Sequence, residues 1–327
     1  MLKREILEKL KNPQTLGDSE TNFGWVSTGS LALNRIISGD YSKGIPIGAI
    51  TQLRGDSSTG KTLFLTSILT EAQKKGYYTK LVDAENAYNE EFARKLGLNP
   101  DELLYSAPEC LEDAFADIEN TIEAIRQEDQ DTPIIIGLDS LAVLGTRKEL
   151  NTDNYEHSPA DGAHRALVTG MCFRRVNPIL RKHKVALVVI NQIRSKIGVI
   201  YGNPETNAAG GRSLEYYLGV DLKTFRREKL KDDKDNPMGI RGEVECTKNK
   251  YSIPYRKCDF ELVFDKGLSK FYGLLDFMAD DGILSKAPNG RCALGETKFT
   301  SKDFINLILD KNNKDFDIIR DKIGYAD

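Results

Sequence analysis

The stretch Gly55-Asp56-Ser57-Ser58-Thr59-Gly60-Lys61-Thr62 fits the pattern G-x-x-x-x-G-K-[ST] without a gap or substitution. Each position has a physical task. Gly55 and Gly60 allow backbone angles that a side chain would forbid, so that successive N–H groups can turn inward around phosphate oxygens. Lys61 places a point charge at the β- and γ-phosphates, and the Thr62 hydroxyl is set to ligate Mg²⁺. The flanks fit the pattern. Gly48-Ala49-Ile50-Thr51-Gln52-Leu53 predicts a strand before it. After it, Leu63, Phe64, Ser67, Ile68 and Ala72 fall near helical spacing up to a C-cap at Gly76. A strand, a glycine-rich loop and a helix N-terminus together make an anion site. A plain glycine-rich surface turn would not need these neighbours, so the stretch predicts binding of a nucleoside triphosphate with Mg²⁺.

Working outward, three later apolar runs end in polar groups. Tyr77-Tyr78-Thr79-Lys80-Leu81-Val82 leads into Asp83-Ala84-Glu85, Pro133 to Leu138 leads into Asp139-Ser140, and Val185 to Ile190 leads into Asn191-Gln192. In open α/β sheets ligands sit beyond the carboxyl ends of strands. Glu85 therefore lands near the γ-phosphate, where a carboxylate can orient or deprotonate a water. Asp139 lands beside the phosphate loop, where it can hold Mg²⁺ through water, with Ser140 in reach of the same cluster. Taken alone, each acid would be a solvated strand end. Helices are predicted over 89–99 and 111–127, the latter on a stripe of Leu111, Phe115, Ile118, Ile122 and Ile125. Residues 145–163 predict a long polar loop, followed by a helix to about Lys182, and residues 228–237 predict a charged hairpin tip with no further role.

The totals narrow the class. At 327 residues, 40% hydrophobic and 29% charged, the chain can hold one large α/β domain and a smaller unit. A net charge of −3 excludes a globally basic nucleic-acid binder but leaves room for a local basic groove. The five cysteines contain no C-x-x-C pair, which fits free thiols in a reducing compartment better than zinc. No apolar run approaches the ~18 residues of a membrane helix. The charged start Met-Leu-Lys-Arg-Glu-Ile does not fit a signal peptide, so a cytoplasmic protein is expected. Leu2, Ile6, Leu7 and Leu10 predict a short amphipathic N-terminal helix, stopped at Pro13.

A second stretch is the more specific one. Asn191-Gln192-Ile193-Arg194-Ser195-Lys196-Ile197-Gly198-Val199-Ile200-Tyr201-Gly202-Asn203-Pro204-Glu205-Thr206 runs on to Gly210-Gly211. With Ser27-Thr28-Gly29-Ser30-Leu31, Asp83-Ala84-Glu85-Asn86-Ala87 and Lys248-Asn249-Lys250, it resembles the RecA family of homologous recombinases from about residue 25 to 270. The resemblance implies a RecA-like phosphate-loop ATPase core, with a twisted, mainly parallel sheet and helices on both faces. It also implies a small C-terminal α+β domain over 271–327, after an N-terminal segment over 1–24. Gln192 would be the γ-phosphate sensor. Residues 193–211 would form a DNA-binding loop, with Arg194 and Lys196 on the backbone, Ile197 and Val199 as wedges between bases, and Gly198, Gly210 and Gly211 as pivots. A first DNA loop would span 153–164, where His157, His164 and Arg165 stand in place of the usual family residues.

By the same resemblance Arg174 faces DNA, Phe92 stacks on adenine, and Asn89 replaces a usual Asp near the base. Lys248 and Lys250 would reach the next subunit's γ-phosphate, the logic of an arginine finger. Tyr216 would pack into the subunit interface. The implied activity is ATP-dependent pairing and strand exchange between single-stranded DNA and homologous duplex, within a helical filament. The short N-terminal helix and the absence of an acidic tail suggest a compact version of the family. A hexameric motor on the same ATP core, and a non-exchanging DNA-binding paralogue, stay open at this stage.

Overall fold

The computed structural model describes residues 23–151, 159–195, 205–207, 211–286, 291–310 and 314–324. The expected N-terminal helix and the turn at Asn289-Gly290 lie outside the described residues. In chain order the elements are β1 (Trp25–Val26), α1 (Leu31–Ser38), β2 (Ile45–Pro46), β3 (Ile50–Gly55), α2 (Lys61–Lys74), β4 (Tyr78–Asp83), α3 (Glu90–Lys95), β5 (Leu103–Ser106), α4 (Leu111–Glu128) and β6 (Ile134–Asp139). Then follow α5 (Arg147–Leu150), α6 (Pro159–Lys182), β7 (Val185–Ser195), β8 (Glu205–Asn207), α7 (Gly211–Tyr217), β9 (Leu218–Lys231), β10 (Pro237–Asn249), β11 (Lys257–Val263) and β12 (Gly267–Leu268). The C-terminal part carries α8 (Leu274–Asp280), β13 (Ser285–Lys286), β14 (Cys292–Leu294), β15 (Thr297–Phe299), α9 (Ser301–Leu309) and α10 (Asp317–Lys322).

The main sheet has the order β12-β11-β10-β9-β3-β7-β6-β4-β5, with β8 paired to β7 off this path. Strands β9, β3, β7, β6, β4 and β5 run parallel, and β10, β11 and β12 extend the sheet as an antiparallel meander. Strands β6 and β7 are largely apolar on both sides, as parallel strands covered by helices tend to be. One face packs Leu53, Val188 and Ile190 under Phe64, Leu65 and Ile68 of α2. The other packs Ile136, Leu187 and Val189 under Phe115 and Ile118 of α4 and Phe173 and Val176 of α6. Edge-to-face pairs Phe64–Phe260 and Phe115–Phe173, each with centroids 4.9 Å apart, fill the two layers. Cutting Phe64 to Ala would cost about 3–5 kcal/mol, since it is fully buried.

Several boundaries differ from expectation for local reasons. The helix expected over 89–99 with a stop at Gly97 is α3, which ends at Lys95; Gly97 (φ 87°) turns the chain as expected, and Pro100 opens a single 3-10 turn. The polar stretch 145–163 is not one loop: Thr146 and Glu149 form a reciprocal capping box that starts α5, and α6 begins at Pro159. Ser30 is the side-chain cap of α1, accepting from Leu33 N–H at 3.4 Å. A third apolar cluster joins Leu31 and Tyr41 to Leu274, Met278, Phe299, Phe304 and Phe316 of the C-terminal part. Arg35 clasps Asp281 through two hydrogen bonds (3.0 and 2.7 Å), and Tyr41 Oη donates to the same carboxylate at 2.6 Å.

Candidate active site

The phosphate loop lies between β3 and α2, against β9. A Cβ on Gly55 would come within 2.3 Å of Thr224 Oγ1 and 2.6 Å of the Thr224 carbonyl, so only glycine lets β9 approach. Gly60 has φ 86° and a virtual Cβ 2.9 Å from Leu262. Thr59 fastens the turn: its hydroxyl donates to the Asp56 carbonyl at 3.0 Å and shares a 2.8 Å hydrogen bond with Thr224. The N-terminus of α2 has no side-chain cap. Its first N–H groups thus face the cradle, and the Lys61 ammonium bonds the Gly55 and Asp56 carbonyls at 3.1 and 2.7 Å. An uncapped helix start with a lysine folded over it fits a polyphosphate. Desolvation by burial pulls the Lys61 ammonium below its ordinary value, against the opposing pull of Asp139, Glu85 and Asp56. A phosphate ligand would reverse that shift.

The three strand ends converge here as the sequence predicts. Thr62 Oγ1 donates to Asp139 Oδ2 at 2.6 Å. Hydroxyl and carboxylate oxygens side by side are the hard donors that Mg²⁺ takes. Burial pushes the Asp139 carboxyl up to about 6; Thr62 and Lys61 oppose that, and Glu85 and Asp83 add to it. Ser140, fully buried, donates to Glu85 Oε1 at 2.7 Å and fixes the carboxylate over the cavity. Asp83 shapes the turn that presents Glu85. Its oxygens accept from the Glu85 and Tyr88 N–H groups (3.2 and 3.0 Å) and from Tyr105 Oη (3.1 Å). That role of Asp83 escaped sequence reasoning, which weighed only the acid two residues on.

A cavity of about 590 Å³ opens on Ser57, Ser58, Lys61, Thr62, Glu85 and Asp139, with Gln192 and, beyond it, Arg226, Lys229, Pro237 and Phe264. Its size suits a nucleotide. The expectation that residues 228–237 have no role beyond a hairpin tip is therefore corrected. The strands run on to Lys231 and from Pro237, so Lys229 and Pro237 belong to the ladder and line the cavity. Thr224 and Arg226 were missed too; their one signal was period-2 alternation along β9, which puts both on the side of the phosphate loop. A neighbouring cavity of about 240 Å³ shares Thr62, Glu85 and Asp139 and is walled by Tyr88, Asn89 and Phe92. Phe92 is 36% exposed, and Asn89 caps α3 by accepting from Phe92 N–H at 2.8 Å.

Residues 12–269 match the family defined by the RecA N-terminal domain. The chain belongs to the RecA family. It is 34% identical over 300 residues to Protein RecA of Desulforapulum autotrophicum, covering 86% of this chain and 82% of that protein. It is 34% identical over 306 residues to Protein RecA of a Wolbachia strain from Brugia malayi, covering 92% and 82%. Identity to Protein RecA of Paramagnetospirillum magneticum is 37% over 262 residues, covering 80% and 69%.

Of the residues that the RecA resemblance assigns to DNA, Lys196, Ile197, Gly198, Val199 and Gly210 lie outside the described residues, as do His157 and residues 153–158 of the first loop. The backbone at both ends of the second loop is described: Ile193, Arg194 and Ser195 of β7 pair antiparallel with Asn207, Thr206 and Glu205 of β8, and Gly211 starts α7. Arg165 does not stand free. Its guanidinium holds the Glu149 carboxylate with hydrogen bonds of 2.6 to 3.2 Å, which braces α6 against α5. Arg174 is exposed and donates to Tyr217 Oη at 3.3 Å, while Arg175 pairs with Glu119 at 2.6 Å. Lys248 and Lys250 are not brought to their own chain's nucleotide cavity. Lys248 Nζ donates to the Glu215 carbonyl and Lys250 Nζ to the Tyr216 carbonyl at 3.3 Å, so both cap the C-terminal end of α7. Burial and the neighbouring Lys248 hold the Lys250 ammonium below its ordinary value. Tyr216 is 77% exposed beside them.

Proposed function

We infer that this chain is an ATP-dependent DNA recombinase, which forms filaments on DNA and hydrolyses ATP in a DNA-dependent way. The observation that carries this reading is one cluster at three parallel strand ends, Glu85, Asp139 with Ser140, and Gln192, facing an uncapped phosphate loop in a RecA-family chain. Gln192 belongs to both the nucleotide cavity and the strand that leads into the second DNA loop. That position supports the reading of its amide as the group that reports ATP to DNA.

In the proposed mechanism the loop N–H groups, Gly55 to Thr62, and Lys61 bind the phosphates, and Phe92 with Asn89 takes the adenine. Thr62 and, through water, Asp139 would hold Mg²⁺, which when bound neutralises phosphate charge. Glu85, steadied by Ser140, orients the attacking water and accepts its proton. Lys248 and Lys250 complete the site from the adjacent subunit, an arrangement that requires a head-to-tail, non-closing interface and so a helical filament. Arg165, Arg174 and the loop 193–211, with Arg194, Lys196, Ile197, Gly198, Val199, Gly210 and Gly211, would hold single-stranded DNA during the search for homologous duplex. Base pairing would supply the specificity, and the protein would read backbone and shape. The N-terminal segment, the core over 25–270 and the C-terminal unit over 271–327 are proposed as separate modules of a cytoplasmic protein. Among the described residues no helix is long and apolar enough to cross a membrane.

The testing experiment measures ATP turnover with and without single-stranded DNA, for the native chain and Lys250→Ala. Strong stimulation by DNA that is lost in the variant while ATP still binds supports the reading. Turnover indifferent to both DNA and Lys250 overturns it and leaves a phosphate-loop ATPase of another kind.

A further inference from the structure

A chain of polar side chains crosses four adjacent strands of the sheet, directly behind the nucleotide site. It starts at Gln192, whose backbone N–H donates to Asn191 Oδ1 at 2.9 Å. Asn191 Nδ2 donates to Gln52 Oε1 at 3.1 Å, and Gln52 Nε2 to Asp221 Oδ1 at 2.8 Å. Arg54 Nε donates to both Asp221 oxygens at 3.1 and 2.8 Å, and its Nη2 donates to Thr247 Oγ1 at 3.1 Å. The Thr247 hydroxyl in turn donates to Asp221 Oδ2. Gln52 and Asn191 are fully buried, and Asp221 is 7% exposed.

The far end of this chain is as specific as its start. The β9–β10 ladder slips in register between Cys246 and Lys248, making Thr247 the extra residue of a bulge, with Lys248 opposite Asp221. A bulge re-aims the side chains beside it. Here it is pinned by the hydroxyl that ends the polar chain, one residue before Lys248. The chain also spans the root of the second DNA loop. That loop leaves through β7, which carries Asn191, and returns through α7 into β9, which carries Asp221. Gln52 bridges the two.

Buried polar groups need partners, and satisfaction alone could explain such a network. Apolar residues would serve a covered parallel sheet as well, however, and they fill the neighbouring positions Ile50, Val189 and Leu218 on the same face. Within β3, β7 and β9 the buried polar side chains of this face, Gln52, Asn191 and Asp221, all lie in the row that joins Gln192 to Lys248.

We propose that Asn191, Gln52, Asp221, Arg54 and Thr247 are positioning residues that tie the γ-phosphate sensor of one ATP site to the lysine pair offered to the next. The proposal rests on the reading of Lys248 as a cation acting in trans. When Gln192 is drawn toward a bound triphosphate, its backbone pulls on Asn191, and the row passes that shift through Asp221 to the bulge. Lys248 then leaves the α7 carbonyl for the neighbouring subunit. Hydrolysis at one site would thus be conditioned on ATP at the next.

The test uses the full chain on single-stranded oligo(dT), with Thr247→Val, Thr247→Ser, Lys248→Ala and the Thr247→Val/Lys248→Ala double variant. Thr247 is half-buried at the end of the row, so its loss leaves Asp221 paired with Arg54 and Gln52 and the fold intact, with Tm as the control. DNA-stimulated kcat should fall roughly 10-fold in Thr247→Val with KM for ATP within about 2-fold, and the double variant should be no slower than Lys248→Ala alone. Thr247→Ser, which keeps the hydroxyl, should restore the native rate. A native rate in Thr247→Val, a Thr247→Ser variant as slow as Thr247→Val, or losses that multiply in the double variant would overturn the relay. Lys248→Ala turning over at the native rate would instead remove the trans-acting lysine, and the relay with it.

Discussion

Two regions of this molecule stand in opposite states of completion. At the carboxyl ends of β4, β6 and β7, the groups expected to bind and hydrolyse ATP already touch one another: Thr62 on Asp139, Ser140 on Glu85, Lys61 over its own loop. At the end of β10 and just past it, Lys248 and Lys250 are parked on α7 carbonyls, away from their own chain's nucleotide cavity. The difference teaches where the chemistry can be controlled. Groups that must be ready at all times are fixed by buried strands. Groups proposed to wait for a partner rest on half-exposed, exchangeable contacts, whose net strength is only about 1 kcal/mol each.

A first test breaks the finished half. Glu85→Gln keeps the hydrogen bond from Ser140 and the shape of the site but removes the proton acceptor. Its kcat should fall by about 10²–10⁴-fold with ATP affinity nearly unchanged, as steady-state turnover and equilibrium nucleotide binding would show. A loss of binding equal to the loss of turnover would mean that Glu85 holds the ligand and does not handle the water.

The waiting half is tested by mixing. Lys248→Ala/Lys250→Ala chains should lose about 10³-fold or more of DNA-stimulated turnover if the lysines act as finger cations do. Combined with Glu85→Gln chains, they should recover part of it, because some junctions then pair an intact Glu85 with an intact lysine pair. Two inactive variants that stay inactive when mixed, while still co-assembling on DNA, would place the lysines in their own chain's site.

The same contrast governs what could be read from the sequence. The phosphate loop, Glu85, Asp139 and Gln192 were legible because each is a local pattern: a glycine signature or an apolar run ending in a polar group. Their convergence follows from parallel strand order. What stayed hidden depends on contacts between distant residues. Asp83 does its work through Tyr88 and Tyr105, Thr224 reaches the phosphate loop only because β9 lies beside β3, and Lys229 enters the cavity because a hairpin continues further than its charges suggest. Arg165 shows the converse: a basic residue in a loop-like stretch also holds Glu149, sixteen positions earlier in the chain, a contact that no local pattern announces.

A smaller effect sharpens the electrostatics of the finished half. Before ligand arrives, burial holds the Asp139 carboxyl at about 6, so part of it is protonated at mildly acid pH. A hard cation takes the ionised form. Mg²⁺-dependent strengthening of ATP binding should therefore grow as pH rises through about 6, and this pH-dependent part should vanish in Asp139→Asn. The same raised value means that the proton favours the fold, so the Asp139 contribution to stability of the ligand-free chain falls between about pH 4 and 6. Titration calorimetry across that range reads the first sign and thermal melts read the second. A cation effect that is flat in pH would show that Asp139 is ionised throughout.

The smallest expected effect concerns a third region, the clasp between α1 and the C-terminal unit. Asp281 accepts two hydrogen bonds from Arg35 and one from Tyr41, and the Arg35 pair holds its carboxyl below the ordinary range. Asp281→Asn keeps the volume and some of the hydrogen bonding but removes the charge. Because the pair is partly solvated, the cost should be only about 1 kcal/mol, a downward Tm shift of ~2–4 °C if the chain melts as one unit. The pH sign is fixed by the depressed value. The contribution is fully present above the unfolded carboxylate value of about 4 and is lost as pH falls through the lower native one, so native and variant Tm should converge as pH falls below about 4. ATP turnover should be unaffected, since no residue of the clasp lines the nucleotide cavity. A Tm unchanged at neutral pH would leave the apolar contacts of Leu31 and Tyr41 with Leu274 and Phe304 as the whole attachment. A change in turnover would show that the C-terminal unit sets the posture of α1 and, through the Thr28 carbonyl that accepts from Ser67 of α2 at 2.8 Å, the phosphate-loop helix itself.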